Sequence, residues 1–554
     1  MSTLTAANTR SVSAELERIF ALQQAHQWEV KATSAEQRKA KLRRLKSAVE
    51  AHADEIVAAV KQDTRKPEGE IRVTELLNVT GNIDRNINNL DEWMKPVEVV
   101  PSQNKNDRAR IVCEARGVCL ILGPWNFPLG LVMGPLAAAI AAGNCCIVKL
   151  TDLCPATARA AARTIKETFA ENEVAVFEGG VDVATALLEL PFSHIFFTGS
   201  TRVGKLVMAA AAKHLATVTL ELGGKSPVIV DEGADLKKVA GDLAAAKQFN
   251  GGQACICPDY VFVKSQQQED LVQEFRSRVK QNLYTEDGKI KKDNIAQIVD
   301  ARNFTRIKQL FDDAVSKGAK VAVGGTLEAA DRTVHPTMLT GVTPDMQIMQ
   351  EEIFGPIVPV LTYQLLDEVI GHISSRGKPL ALYIYSNNQK NIDKVLSRTS
   401  SGGVTINGFF SHYLENQLPF GGVNQSGMGS YHGYLALKLS RMSALSTFRR
   451  IDSAVPQLRP PGLEHLGHQF APYSNIRVYV VRRRRKSDNR ARPHSEIPDP
   501  TICQIESLQV TQWRKIALCH LPGILRTISG MAAPDARADL KDRPRQLQLI
   551  KSPA

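Results

Sequence analysis

From Arg110 onward, short apolar runs alternate with longer Ala-rich stretches, and this alternation constrains the fold more than any other feature of the chain. The runs occupy 118–122, 146–150, 173–177, 194–198 and 217–220, separated by helical stretches such as Ala156–Glu171 and Val203–His214. Runs this short have the length of strands. Strands alternating with helices imply a mostly parallel, helix-covered sheet. A second βα series follows: Pro227–Val230, Leu236–Phe249, Tyr260–Val263, Glu269–Val279, Ala319–Val323, Thr337–Leu339, Pro359–Tyr363 and Ala381–Tyr385. Residues 11–100, ahead of both series, read as amphipathic helices. Two α/β halves in succession predict a crevice between them, suited to a cofactor and a substrate.

At 554 residues the chain exceeds one small core, and its 43% hydrophobic and 23% charged composition is that of a soluble globular protein. Gly117–Val148 is almost uncharged and long enough to cross a bilayer. It is interrupted by Gly123-Pro124, Phe127-Pro128, Gly134-Pro135 and Gly143-Asn144. The expectation is a strand (Val118–Leu122), a turn carrying Trp125 and Asn126, a buried helix and a second strand (Cys146–Leu150). Nine cysteines without framework spacing, and no secretory signature, point to a reducing, cytoplasmic setting. Of the net charge of +12, the segment from Arg482 carries +8 (15 Lys and Arg against 7 Asp and Glu), leaving +4 for the other 481 residues. Such a nearly balanced body shows no nucleic-acid motif. The run Arg482–Lys486 opens a polar stretch read as a disordered basic tail, with peripheral membrane contact as the minority reading.

Three motifs carry the chemistry. Cys255 lies in Phe249-Asn250-Gly251-Gly252-Gln253-Ala254-Cys255-Ile256-Cys257-Pro258, where a helix is expected to end in a glycine turn that presents a sulfur rather than burying it. Glu221 lies in Leu220-Glu221-Leu222-Gly223-Gly224-Lys225, and Asn126 in Gly123-Pro124-Trp125-Asn126-Phe127-Pro128. A thiol, a carboxylate and an amide at Gly or Pro turns are the parts acyl chemistry on a carbonyl requires. A fourth run, Phe197-Thr198-Gly199-Ser200-Thr201-Arg202-Val203-Gly204, follows an apolar strand and opens a helix whose backbone N–H groups can hold a phosphate. Lys149 and Asp152 stand where a ribose can be hydrogen-bonded, or else are charged side chains held in water at the surface. No metal site is expected.

Together these runs resemble the aldehyde dehydrogenase superfamily from about residue 15 to about residue 480. A fifth motif, Glu351-Glu352-Ile353-Phe354-Gly355-Pro356, falls in the family's order. Cys255-Ile256-Cys257-Pro258-Asp259-Tyr260, Lys378-Pro379-Leu380-Ala381-Leu382-Tyr383, Leu418-Pro419-Phe420-Gly421-Gly422-Val423 and Ser426-Gly427-Met428-Gly429-Ser430-Tyr431-His432-Gly433 look like the class 3 branch, which handles fatty and aromatic aldehydes.

The resemblance implies an α/β fold with a Rossmann-like cofactor domain (1–222, with 95–112 in a bridging element) and an α/β catalytic domain (223–407). It further implies a returning segment (408–450) and a C-terminal extension (451–554). The implied reaction is oxidation of an apolar aldehyde to its acid with NAD or NADP (EC 1.2.1.-). Cys255 is the implied nucleophile, Asn126 the oxyanion donor with the Cys255 backbone N–H, and Glu221 the base for water. Trp125, Lys149, Asp152, Gly199, Ser200, Gly204, Leu222, Glu352 and Phe354 are the implied cofactor contacts. Phe409, Phe410, His412 and Tyr413 are implied to border the substrate entrance, with core packing as the alternative, and a homodimer is expected.

Two departures stand out. The ribose-binding run, usually Lys-Pro-Ser-Glu, reads Lys149-Leu150-Thr151-Asp152, and the shorter acid leaves NAD and NADP both open. Cys257 stands where the branch commonly has alanine; a reversible Cys-x-Cys pair and a small buried residue are the two readings. Lys225 reads as catalytic or as a structural lysine beside a strand. The rival functions are a relative that passes the acyl group to coenzyme A or acts as an esterase, and a non-catalytic member that keeps the fold.

Overall fold

The five runs of the first series pair in the order Val174–Phe177, Cys145–Lys149, Val118–Leu122, His194–Thr198, Thr217–Glu221, all parallel. Every residue of Val118–Leu122 and Cys145–Lys149 is buried, as parallel strands covered on both faces must be. The short strand Gly427–Met428 completes this six-stranded sheet, antiparallel to Thr217–Glu221 with Gly427 opposite Glu221. The chain winds outward from 118–122 to 174–177, then returns to the other side at 194–198. Strand order therefore reverses between Val118–Leu122 and His194–Thr198, which opens a crevice at their carboxyl ends. The turns leaving those ends carry Gly123–Asn126 and Gly199-Ser200.

Six strands of the second series, with Gly403–Ile406 and Tyr479–Val481 added, build an eight-stranded sheet in the order Lys320–Val323, Thr337–Thr340, Ile357–Tyr363, Tyr260–Lys264, Pro227–Val230, Ala381–Tyr385, Gly403–Ile406 and Tyr479–Val481. Only the first pair is antiparallel. Tyr479–Val481 thus belongs to this sheet, although the sequence reading places it in the extension beginning at 451. Three apolar or aromatic residues alone give too little pattern to read as a strand. A third sheet joins Val97–Val99, Arg108–Ala115 and Arg441–Phe448, all antiparallel.

The computed structural model describes residues 6–100, 108–432, 441–448 and 479–481. Every described residue belongs to one compact unit within Met1–Arg490. The reading of the tail from 482 lies outside the described residues.

Gly117–Val148 resolves as expected into strand, turn, helix and strand. The interruption at Gly134-Pro135 does not end the helix, because Gly130–Ala142 runs through Pro135. A proline inside a helix forfeits one backbone hydrogen bond. Here twelve of the thirteen residues are buried, so packing all round the helix holds it across the defect. Among the described residues no helix is long and apolar enough to cross a membrane. The N-terminal helices, including Ala35–Ala51 and Ala53–Thr64, share a core with Asn78–Trp93 and Pro155–Thr168. Between them lies a π-helical turn, Arg72–Leu77.

Candidate active site

Asp235 caps the helix Leu236–Gln248 by accepting from the Lys238 N–H at 3.2 Å, and the helix ends one residue before the motif. The chain then turns through Asn250, Gly251 and Gly252 with φ of 47°, 57° and 74°. Successive left-handed residues need glycine, or asparagine as the best-tolerated substitute. Gly252 lies so close to the backbone of Gly355 and Pro356 that a Cβ would collide, so the turn seats directly on the Glu351–Pro356 run. Gln253 secures the far side: its Nε2 donates to the carbonyls of Asn250 (2.9 Å) and Gln297 (3.0 Å), and its Oε1 accepts from the Val299 N–H (3.1 Å). Cys255 emerges from this frame half-buried, while Ala254, Ile256 and Cys257 are buried.

Burial pushes the Cys255 thiol well above its ordinary value, and the Glu352 and Glu221 carboxylates push it further; the backbone N–H groups of Cys255 and Ile256 act the other way. Cys257 is turned inward, its Sγ against the carbonyls of Ala246 (3.6 Å) and Pro258 (3.7 Å), and burial raises its thiol to about 11. That placement suits the small buried residue of the two readings.

Asn126 is buried, and its Nδ2 donates to the Gln253 carbonyl at 3.2 Å, two residues before Cys255. An amide nitrogen has two hydrogens, so one remains for a ligand. Glu221 ends its strand buried, and neither carboxylate oxygen has a hydrogen-bond partner. Burial alone lifts its carboxyl well above the ordinary range. Glu352 reaches across to the glycine pair, accepting from the Gly224 N–H at 3.2 Å and filling the space where a Gly223 side chain would be. Burial, then the Asp259 charge, raises it to about 8. Arg306 holds the same run by donating to the carbonyls of Glu352 (3.0 Å) and Ile353 (2.6 Å), and the Phe354 ring meets Trp125 edge-on at 5.2 Å. Lys225 is fully engaged, by the Asp259 carboxylate and the carbonyls of Ile348 (2.8 Å) and Glu351 (2.9 Å). That engagement suits the structural of the two readings.

Of the residues proposed from sequence for a dinucleotide, Trp125, Lys149, Asp152, Gly199, Ser200 and Leu222 end or follow strands at the carboxyl edge of the six-stranded sheet, while Glu352 and Phe354 come from the loop before Ile357–Tyr363 of the other sheet. Ser200 caps the helix Thr201–Lys213, accepting from the Val203 N–H at 3.4 Å, with Gly199 before it. A helix start of this kind favours a pyrophosphate. Gly204 makes room for a neighbour instead, since a Cβ there would stand 2.6 Å from the Leu222 side chain. Lys149 is buried and its ammonium is made more acidic by that burial, opposed by the charges of Asp152 and Asp182. A buried ammonium beside an exposed carboxylate offers a donor and an acceptor to ribose hydroxyls, so the set fits NAD or NADP. Among the described residues no cluster of metal-ligating side chains occurs.

The four aromatic and histidine candidates separate. Phe409 is 1% exposed, its ring 4.6 Å from Tyr383 and 5.5 Å from Tyr385, and His412 is buried with Nδ1 2.8 Å from the Thr405 hydroxyl. Both are core residues, the alternative the sequence left open. Phe410 and Tyr413 are half-buried and pack in the same cluster as Cys255. Phe249 lies 5.7 Å from both Phe410 and Phe127, and the Tyr413 hydroxyl accepts from Asn78 Nδ2 at 3.3 Å.

Sequence reasoning missed a buried polar wall beneath these groups. Lys66 Nζ donates to the Asn126 carbonyl (2.6 Å) and to Glu75 (3.1 Å), and Glu70 accepts from the Asn250 N–H (2.9 Å). Lys66-Pro67 just after a helix was the one local cue.

The model of the aldehyde dehydrogenase family matches residues 2–443. The AldX protein of Bacillus subtilis (strain 168) is 49% identical over 77% of this chain and 96% of its own length. Aldehyde dehydrogenase family 3 member A2 of Pongo abelii is 43% identical over 71% of this chain and 80% of its own. Among solved structures, Staphylococcus aureus AldH in its substrate-bound state is 36% identical, with a TM-score of 0.77 over 80% of this chain and 96% of that one. With the five motifs gathered around one crevice, the chain belongs to the aldehyde dehydrogenase family, resembles its class 3 branch, and is an oxidoreductase that uses NAD or NADP.

Proposed function

We propose that the chain oxidises medium- or long-chain aliphatic or aromatic aldehydes to carboxylic acids through a thioester on Cys255. The observation that carries this reading is Glu221: a buried carboxylate with both oxygens unpartnered, close enough to Cys255 to raise its thiol. A protein has no stabilising reason to bury such a group bare. Water and an acyl carbon are the partners it lacks.

In this reading the Cys255 sulfur attacks the aldehyde carbon as its proton passes to the unpartnered Glu221 carboxylate, which hands it on to solvent before the later hydrolysis. The backbone N–H groups of Cys255 and Ile256 partly offset the burial that raises the thiol. As the carbon becomes tetrahedral, negative charge moves to the former carbonyl oxygen. The free hydrogen of Asn126 Nδ2 and the Cys255 N–H receive it there, and losing one such donor costs about 2.7–4 kcal/mol. Bound NAD or NADP supplies the hydride acceptor. Lys149 and Asp152 hold the adenosine ribose, Ser200, Gly199 and Trp125 the pyrophosphate, and Glu352 and Phe354 the nicotinamide end. Gly204 and Leu222 shape the wall between them. Glu221 then takes a proton from water as it adds to the thioester, and the acid leaves.

Phe127, Phe249, Phe410 and Tyr413 supply an apolar mouth, in which each buried methylene adds about 0.8 kcal/mol. A division into a cofactor domain, a catalytic domain and a returning segment is part of the same proposal, supported by the separate six- and eight-stranded sheets. A homodimer is proposed as well, supported by the exposed Val97, Val99 and Val100 at the edge of the three-stranded sheet. The test is reduced-nicotinamide formation with hexanal, dodecanal, benzaldehyde and coniferaldehyde, with products identified in the presence and absence of coenzyme A. Free acid, and kcat/KM rising with chain length, is expected. Acyl-coenzyme A as the main product, or no turnover alongside normal cofactor binding, defeats the proposal.

A further inference from the structure

We infer that Lys66 and Asn250 are positioning residues: they clamp the Asn126 carbonyl and so set where the Asn126 amide meets an oxygen at Cys255. This rests on the reading of Asn126 as an oxyanion donor.

The Lys66 ammonium is completely buried and makes three contacts: the Asn126 carbonyl at 2.6 Å, Glu75 Oε1 at 3.1 Å and the face of the Phe127 ring at 4.2 Å. A charge-assisted bond of this length is strong and directional. Glu75 turns its second oxygen to the N–H groups of Leu129 (3.1 Å) and Gly130 (2.7 Å), at the start of the next helix. The one ion pair therefore pins the chain on both sides of Phe127-Pro128. Glu75 projects from the π-helical turn Arg72–Leu77, and such turns re-aim side chains where function demands it.

Asn250 closes the clamp from the thiol side. Its Nδ2 divides two hydrogens between the carbonyls of Asn126 (2.8 Å) and Gln253 (2.9 Å), while its own N–H is held by Glu70 at 2.9 Å. The Gln253 carbonyl also accepts the first hydrogen of Asn126 Nδ2. Asn126 and Asn250 are thus joined in a closed ring through Gln253, two residues before the nucleophile. The ring fixes the spacing between the two oxyanion donors from both ends. A buried ion pair is a weak device for stability, because well-packed apolar residues do as well. Holding a geometry is the use that remains.

Two variants test the clamp. Lys66→Met combined with Glu75→Gln removes both charges, so neither is left buried alone. Asn250→Gly removes both amide donors at a φ of 47° that glycine adopts freely, and it serves even if the first variant does not fold. Each is expected to lower kcat for aldehyde oxidation about 10- to 100-fold, the scale of a misplaced reacting group. KM, the cofactor Kd and the rate of Cys255 alkylation by iodoacetamide, which needs no oxyanion, should stay within about twofold. In an Asn126→Ala background neither variant should add a further loss. Full kcat in a folded Asn250→Gly protein overturns the clamp, as does a loss that persists undiminished beside Asn126→Ala, or parallel falls in alkylation and cofactor binding. Full kcat in Asn126→Ala alone overturns the oxyanion reading, and this inference with it.

Discussion

Glu75 and Glu221 are both buried glutamates on the wall of one site, and the chain treats them oppositely. Glu75 has Lys66 on one oxygen and two backbone N–H groups on the other. Glu221 has a partner on neither. The difference separates two kinds of burial. Around Glu75, polar groups are matched to one another until the backbone has a single arrangement. Around Glu221 they are left unmatched, so the carboxyl is lifted far above its ordinary range and stays available to whatever enters.

Replacing Cys255 by serine challenges this contrast most severely. Turnover of aldehyde should fall about 10⁴-fold or more while the melting temperature holds, because the loss is of a nucleophile and not of packing. Steady-state formation of reduced nicotinamide measures it. Glu221→Gln should come next, with turnover about 10²- to 10⁴-fold lower. A rapid burst of reduced nicotinamide followed by a stall would place the defect in hydrolysis. Since the carboxyl of Glu221 is raised, its basic form grows as pH rises, so hydrolysis should climb with pH in the wild type and flatten in the variant.

The comparison sharpens when stability is measured on the same pair of residues. Glu75→Gln strands the Lys66 ammonium in the core and should cost about 3–5 kcal/mol in denaturant unfolding. Glu221→Gln replaces one buried, unpartnered polar group by another of nearly the same size, and should shift stability by about 1 kcal/mol or less. Equal losses would erase the distinction between the two sites. The smallest effect belongs to Glu352. Its value in the folded chain, about 8, lies above the ordinary 4.5, so the folded state holds the proton more tightly. The stability this provides is complete below 4.5 and is lost as pH rises through about 8. The melting temperature of the wild type should therefore decline across that interval more steeply than that of Glu352→Gln.

Much of this was legible in advance, and the rest was hidden for identifiable reasons. Period and run length located five strands of the six-stranded sheet and six of the eight-stranded one, because a parallel strand covered on two faces is an uninterrupted apolar run, but they missed Gly403–Ile406, Gly427–Met428 and Tyr479–Val481. The glycine turn at Cys255 was legible too, since only glycine and asparagine tolerate three left-handed residues in succession. Lys66, Glu70 and Glu75 were not. In an amphipathic helical stretch a Lys or Glu reads as solvated surface, and nothing local says that Asn126, far along the chain, will bury it. The same blindness covers Phe409, whose neighbours Tyr383 and Tyr385 come from another strand. Lys225 was left ambiguous until Asp259 and two carbonyls were seen to occupy it.

The strand bearing Glu221 is finished from a distance. Gly427 pairs opposite it, the Ser426 carbonyl accepts from the Leu222 N–H at 3.0 Å, and the Gln425 carbonyl accepts from the Thr201 hydroxyl at 2.8 Å. During synthesis, the ribosome must therefore release roughly 200 further residues, including nearly all of the neighbouring sheet, before this edge can be sealed. A nascent chain carries the nucleophile and the base long before it carries the clasp that fixes the base's strand, so chemical competence arrives late, after Gln425–Gly427 has left the exit tunnel.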